Sequence, residues 1–227
     1  MLLDKVISIV AASAALLEGS MDAALPDKNI DGTAFLVNRQ HAISQYYAPE
    51  TRKVNGPGMS QTMREDAAAA LEEMFAAAKA DGINLSIVSG YRSYSKQTTI
   101  YSRKKASVGQ KEADRVSARP GTSEHQLGLA MDLAKKGSSQ LNTSFGKTKE
   151  GKWVNENAHR FGFIVRYLEN YEEVTGYMYE PWHVRYVGRE HALALYECGL
   201  PMEWYMSDHK LQVYDYLIHQ VTNEVLP

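Results

Sequence analysis

Apolar positions along this 227-residue chain recur with helical spacing in one long stretch and with strand spacing in several short ones. Over residues 61–80, Met63, Ala67, Leu71, Met74, Phe75 and Ala78 fall on one helical face; Ser60 is the candidate N-cap and Asp81-Gly82 the stop. Residues 83–88 then alternate apolar and polar side chains, the pattern of a half-buried strand that ends at Ser89-Gly90-Tyr91-Arg92-Ser93. Residues 97–106 and 111–118 have the spacing of two polar helices. Short buried strands are expected at 129–134, 163–166 and 182–186, and helices at 153–161, 189–197 and 208–225. Before the first helix, Pro26, Asp31-Gly32, Pro49 and Asn55-Gly56-Pro57-Gly58 break any period. Residues 21–59 therefore form an irregular arm wrapping the domain, with one extended piece at 34–37. Residues 135–151, rich in Gly, Ser, Lys and Thr, form a surface loop beside the strand at 129–134. These elements are expected to make one domain over 60–227.

Composition adds mainly exclusions. Net charge is -2, with 25 basic and 27 acidic residues, so nothing directs the chain to nucleic acid or an anionic membrane. Arg103, Lys104, Lys105, Lys111, Arg115 and Arg119 make one basic region, expected to be a solvated helix face rather than a patch for acidic wall polymers. The one cysteine, Cys198, forbids an internal disulfide and any multi-cysteine metal site, and is expected near a helix end. Residues 1–20 hold an apolar run, 6–17, with two equal expectations: the core of a signal peptide, or a docked helix. It is too short to span a bilayer comfortably. No P-loop and no G-x-G-x-x-G occurs, which leaves nucleotide binding without support.

Chemistry concentrates in two stretches. Ser123-Glu124-His125-Gln126-Leu127-Gly128-Leu129-Ala130-Met131-Asp132 sets an imidazole and a carboxylate seven residues apart, and Glu180-Pro181-Trp182-His183 adds one of each. Two His and one Asp would hold a zinc ion with one position open for water, whose proton the remaining Glu would take. Of the other histidines, His191, His209 and His219 lie in predicted helices without a suitably spaced acid, His41 sits among turn residues, and His159 is expected as a satisfied core residue. H-E-x-x-H is absent. Ser93-Tyr94-Ser95-Lys96 and Ser102-Arg103-Lys104-Lys105 both match S-x-x-K, but no S-D-N or K-T-G follows, and Ser123 lacks the second glycine of a nucleophile elbow.

The blocks Ser89-Gly90-Tyr91-Arg92-Ser93, 123–132, Gly162-Phe163-Ile164-Val165-Arg166-Tyr167 and 180–188 together resemble, in order and spacing, the signatures of the VanY-type D-alanyl-D-alanine carboxypeptidases. The resemblance runs from about Leu36 to about Tyr205. It implies the α+β fold shared with lysostaphin-type peptidases and the hedgehog signalling domain, a small central antiparallel sheet with helices packed around it. It also implies zinc held by His125, Asp132 and His183, Glu180 as catalytic base, and Arg92 as a cation for the oxyanion or the substrate's terminal carboxylate. Tyr91, Gln97 and Ser123 are carried over as substrate-binding residues, while Trp182 is expected to be structural. Val184 and Leu168 stand where many relatives have tyrosine and proline, a difference expected at the rim. The implied partner is a peptidoglycan stem peptide; a substrate outside the cell membrane gives the expectation of an extracytoplasmic location, and the chain is expected to be a monomer. The alternatives are an L,D-carboxypeptidase that trims tetrapeptide stems and a non-catalytic zinc module that binds cell wall.

Overall fold

The computed structural model describes residues 30–206. The apolar run within 1–20 and the helix expected at 208–225, with His209 and His219, lie outside them. In chain order the arm leads into a short ladder of β1 (Arg52–Lys53) against β2 (Thr62–Met63), and then into α1 (Glu65–Ala80). The helix begins four residues later than its apolar stripe predicts, because Thr62 and Met63 are taken up by the ladder; Ser60 therefore does not cap it. Arg64 holds the N-cap position without a side-chain cap, and Glu65 and Asp66 place negative charge in the first turn. The stripe itself is buried as expected: Ala67, Leu71, Met74, Phe75 and Ala78 all lie in the core. Each large member adds about 1.5–3 kcal/mol by leaving water.

Four antiparallel strands form the main sheet in the order β3 (Leu85–Ser89), β4 (Ala130–Lys135), β6 (Glu180–Tyr186), β5 (Phe163–Tyr167). Side chains alternate between the two faces of a strand. Met131 and Leu133 of β4, Val184 of β6 and Phe163 of β5 join the core with α1 and with Trp153 and Val154 of α3 (Lys149–Asn157). The intervening positions carry Asp132, His183, Arg185 and Arg166, all buried. Beyond them a smaller apolar cluster joins Ala34, Ile164 and Val187 to Ala192 and Leu195 of α5 (Arg189–Cys198) and to Met202 and Met206. One sheet thus has a dry face and a face with a buried polar centre, the second closed over by the arm and by residues 202–206, which are helical.

The two polar helices expected at 97–106 and 111–118 are one run, α2 (Tyr94–Val116), kinked at Gly109, whose φ of 78° is not helical. The break between the two patterns therefore marks a kink and not a loop. The basic side chains of this region are solvated as expected, with Arg115 of the helix paired to Glu112 and Glu172, and Arg119 just beyond it to Asp114. Residues 34–37 form no strand. Residues 135–151 include a 3-10 turn at Thr143–Lys147 and the start of α3, so they are more ordered than a plain loop. α4 (Glu172–Thr175) is a single turn ahead of β6. Cys198 is exposed at the end of α5. Val184 is fully buried between Met131 and Val165, not at a rim, so its departure from the family pattern concerns core packing. No helix among the described residues is long and apolar enough to cross a membrane.

Candidate metal centre and active site

Asp132 and His183 are direct cross-strand partners of β4 and β6, the two central strands. Opposed residues in an antiparallel pair share a face and stand about 5 Å apart at Cβ, so backbone pairing alone brings these side chains together. His125 arrives from a 3-10 turn, Glu124–Leu127, which ends at Gly128 with φ 71°. A side chain at that left-handed position would be strained and would press on Arg64 and Pro49, so the glycine lets the turn close directly onto the strand carrying Asp132.

One ligand atom from each of His125, Asp132 and His183 lies within 4.8 Å of the others, and all three residues are buried. Among the described residues this is the one group of His, Cys, Asp and Glu so arranged. The His125 ring meets the Gly90 carbonyl with Nδ1 at 2.8 Å, leaving Nε2 to face Asp132 Oδ2 at 3.4 Å. His183 presents Nδ1 to Asp132 Oδ1 at 3.1 Å. Bonds of about 2.0–2.1 Å to a tetrahedral zinc ion place neighbouring ligand atoms about 3.3 Å apart. The observed separations fit that ion, and two imidazoles with one carboxylate form a donor set suited to zinc that leaves a position for water.

Electrostatics divide the two imidazoles. Burial, helped by Arg92, lowers His125 to about 4 against the pull of Asp132. Burial would lower His183 as well, but its hydrogen bonds to Asp132 and Glu124 raise it to about 9. Burial works against ionised Asp132, yet His125 and Arg92 hold it well below the usual carboxylate range.

Glu180, the first residue of β6, lines the same cavity of about 500 Å³ as the three ligands and Arg92. Burial raises its carboxyl to about 7; His183 and Arg92 oppose the shift, while Asp132 and Glu124 add to it. A carboxyl that titrates near neutrality is suited to taking and returning a proton. Arg92 also lines the cavity, held by Ser89 Oγ at 2.9 Å and, through Nη2, by Asp132 Oδ2 at 2.5 Å. Ser123 and Trp182 belong to the cavity wall, and Trp182 is at the same time part of the core.

Two expected substrate contacts are not on that wall. Gln97 is buried in the first turn of α2, where it donates to the Ala118 carbonyl at 2.7 Å and lies 3.5 Å from Arg92 Nη1; it supports Arg92 instead of facing the cavity. Tyr91 follows the end of β3 with its N–H tied to the Thr62 carbonyl, and its side chain is likewise not among the lining groups. His159 is only partly buried and stacks on Tyr196 at 3.8 Å, with no hydrogen-bond partner for its buried Nδ1 among the described residues, so it is not a satisfied core histidine.

Sequence reasoning missed Glu124, Arg166, Arg185 and Glu203. The Glu124 carboxylate accepts from Arg166 Nε at 2.7 Å and Arg185 Nη1 at 2.8 Å, and Arg166 also grips Glu203. Burial opposes ionisation of Glu124, but Arg166 and Arg185 hold it well below the ordinary range. A signal was present: Arg166 and Arg185 interrupt otherwise apolar strands, and an arginine buried in a sheet demands a buried acid.

The profile of the VanY D-alanyl-D-alanine carboxypeptidase family matches residues 60–189. The chain belongs to this family. It is 41% identical over 191 residues to the putative carboxypeptidase YodJ of Bacillus subtilis, covering 81% of this chain and 70% of that protein. The structure of the LdcB LD-carboxypeptidase superposes with a TM-score of 0.75 at 40% identity, covering 79% of this chain and 88% of the other. The vancomycin-resistance D,D-pentapeptidase VanY, in complex with Zn(II), gives 0.68 at 37% identity and covers 77% and 98%. The fold is that of these metallocarboxypeptidases, and zinc is the cofactor that the His125, Asp132 and His183 cluster fits.

Proposed function

We propose that this VanY-family enzyme removes the C-terminal D-alanine from peptidoglycan stem peptides, acting as a monomer outside the cytoplasmic membrane. The observation that carries the reading is the convergence of Glu180 and Arg92 with the three metal ligands in one cavity. A purely structural metal site needs neither group. Zinc bound there supplies Lewis acidity and a water acidic enough to act as nucleophile near neutral pH. The Glu180 carboxylate takes a proton from the attacking water and returns it to the leaving amine nitrogen, so that D-alanine departs as a neutral amine. Arg92 donates from its planar guanidinium to the negative charge that develops on the scissile carbonyl oxygen. Ser89 and Gln97 hold that guanidinium in place, and the Gly90 carbonyl keeps His125 turned with Nε2 toward the site.

The likeness to an LD-carboxypeptidase supports a second reading, in which the tetrapeptide stem is cut to a tripeptide. Incubating the zinc-loaded protein with tetrapeptide and pentapeptide in parallel, and quantifying free D-alanine, separates the two. The favoured reading expects release from the pentapeptide at a kcat/KM at least tenfold higher; the reverse ranking would install the L,D-reaction. A substrate built outside the membrane requires an enzyme there, and cell fractionation with an antibody tests this: a protein retained in the cytoplasm with residues 1–20 intact would contradict it.

A further inference from the structure

Glu124 stands next to a metal ligand in sequence and touches another in space. Its Oε2 is 3.3 Å from His183 Nε2, while Oε1 is occupied by Arg166 and Arg185. Glu124, Arg166 and Arg185 have fully buried side chains, so no water competes for these bonds. Nor are the arginines free to turn away. Arg166 is bound through its other arm to Glu203, and Arg185 reaches the backbone carbonyls of Thr33 and Phe35 at 2.8 Å each.

We propose that Glu124 is the positioning residue of the metal centre: it accepts the Nε2–H of His183 and so fixes the tautomer and ring orientation that present Nδ1 to the metal. An imidazole has two nitrogens, and a hydrogen bond at one decides which remains to bind. A carboxylate at the outer nitrogen also makes the inner one more basic, and loss of such a partner typically costs about 10–100-fold in metal affinity. The arginines hold Glu124 stationary, and their anchors at Glu203 and in the arm extend the positioning to parts of the chain distant in sequence. The inference rests on the metallopeptidase reading, but on its metal centre only and not on its substrate.

Two measurements test it. Zinc affinity, read by competition with a chromophoric chelator, is compared for the wild type, Glu124→Gln and Arg166→Gln, each checked for folding by circular dichroism. Arg166 touches Glu124 but makes no hydrogen bond to His183, and its loss leaves Glu124 still bound by Arg185, so both variants are expected to melt earlier, with Glu124→Gln losing about 10–100-fold in zinc affinity and Arg166→Gln markedly less. A folded Glu124→Gln protein with wild-type affinity overturns the proposal, as does an equal loss in both variants. Since Glu124→Gln leaves two buried guanidinium groups under-compensated and risks unfolding, the second measurement needs no variant. Long-range ¹H–¹⁵N spectra of the imidazoles in zinc-loaded wild type are expected to show His183 protonated at Nε2 and metal-bound at Nδ1; an unprotonated Nε2 overturns the proposal. Failure to release D-alanine from a protein that passes both tests would count against the reaction and leave the role of Glu124 standing.

Discussion

Glu180 shows at the scale of one residue how a site is set against its own fold. With its value raised to about 7, from an unfolded value near 4.5, metal-free protein binds a proton more tightly folded than unfolded. Stability supplied by this group is therefore present at low pH and lost as pH rises from about 4.5 through about 7. Glu180→Gln is expected to raise the melting temperature of the metal-free protein at pH 8, by up to about 3 kcal/mol of stability, and to change it little at pH 4.5. Melts at the two pH values check this, and equal shifts at both would contradict it. The same substitution should lower kcat by about 10²–10⁴-fold, since it removes the proposed proton acceptor. Arg92 allows a sharper kinetic statement. Its bond to Asp132 Oδ2, at 2.5 Å, sets the guanidinium beside the candidate metal ligands, where the proposed mechanism puts the scissile oxygen. Arg92→Lys, which keeps the charge and loses the planar fork, should lower kcat about 10²–10³-fold with KM little changed. A rise in KM alone would instead assign Arg92 to the terminal carboxylate.

At the scale of elements, the site is a product of strand register. Asp132 opposite His183 follows from β4 pairing with β6, a contact between residues 51 apart in sequence. The apolar pattern revealed both strands and placed Asp132 on the first, but a period of two does not say which strands become neighbours, so the ligand set came from motif and resemblance. The Glu124 network was hidden for a related reason: an acid beside a histidine is by default solvated, and only the tertiary placement of Arg166 and Arg185 buries it. Helix limits failed where side-chain pattern and backbone pairing diverge, as at Met63, whose side chain continues the α1 stripe while its backbone belongs to the Thr62–Met63 ladder strand. That ladder also supports the site. A Cβ on Gly90 would lie 2.7 Å from the Thr62 carbonyl oxygen, and the Gly90 carbonyl is what orients His125. Gly90→Ala is therefore expected to cost about 1–3 kcal/mol and to weaken zinc binding, read by denaturant melts and chelator competition. Destabilisation with unchanged zinc affinity would show that His125 does not depend on this carbonyl.

For the whole molecule, the three candidate metal ligands come from segments that are far apart in the chain. His125 lies in the turn before β4, Asp132 within it and His183 in β6, while the arm closes over Arg185 behind them through Thr33 and Phe35. Zinc binding should therefore stabilise the fold as a unit: free zinc at about 1,000 times its Kd contributes about 4 kcal/mol, and a chelator should lower the melting temperature accordingly. The central claim is that this arrangement is a working zinc carboxypeptidase. Its most direct test is to quantify D-alanine released from a pentapeptide stem by zinc-loaded wild type, by chelated wild type and by zinc-loaded Glu180→Gln. Stoichiometric D-alanine from the first, with loss of at least 100-fold in the other two, is the predicted result. No release by the zinc-loaded wild type, or undiminished release after chelation or by Glu180→Gln, would contradict it.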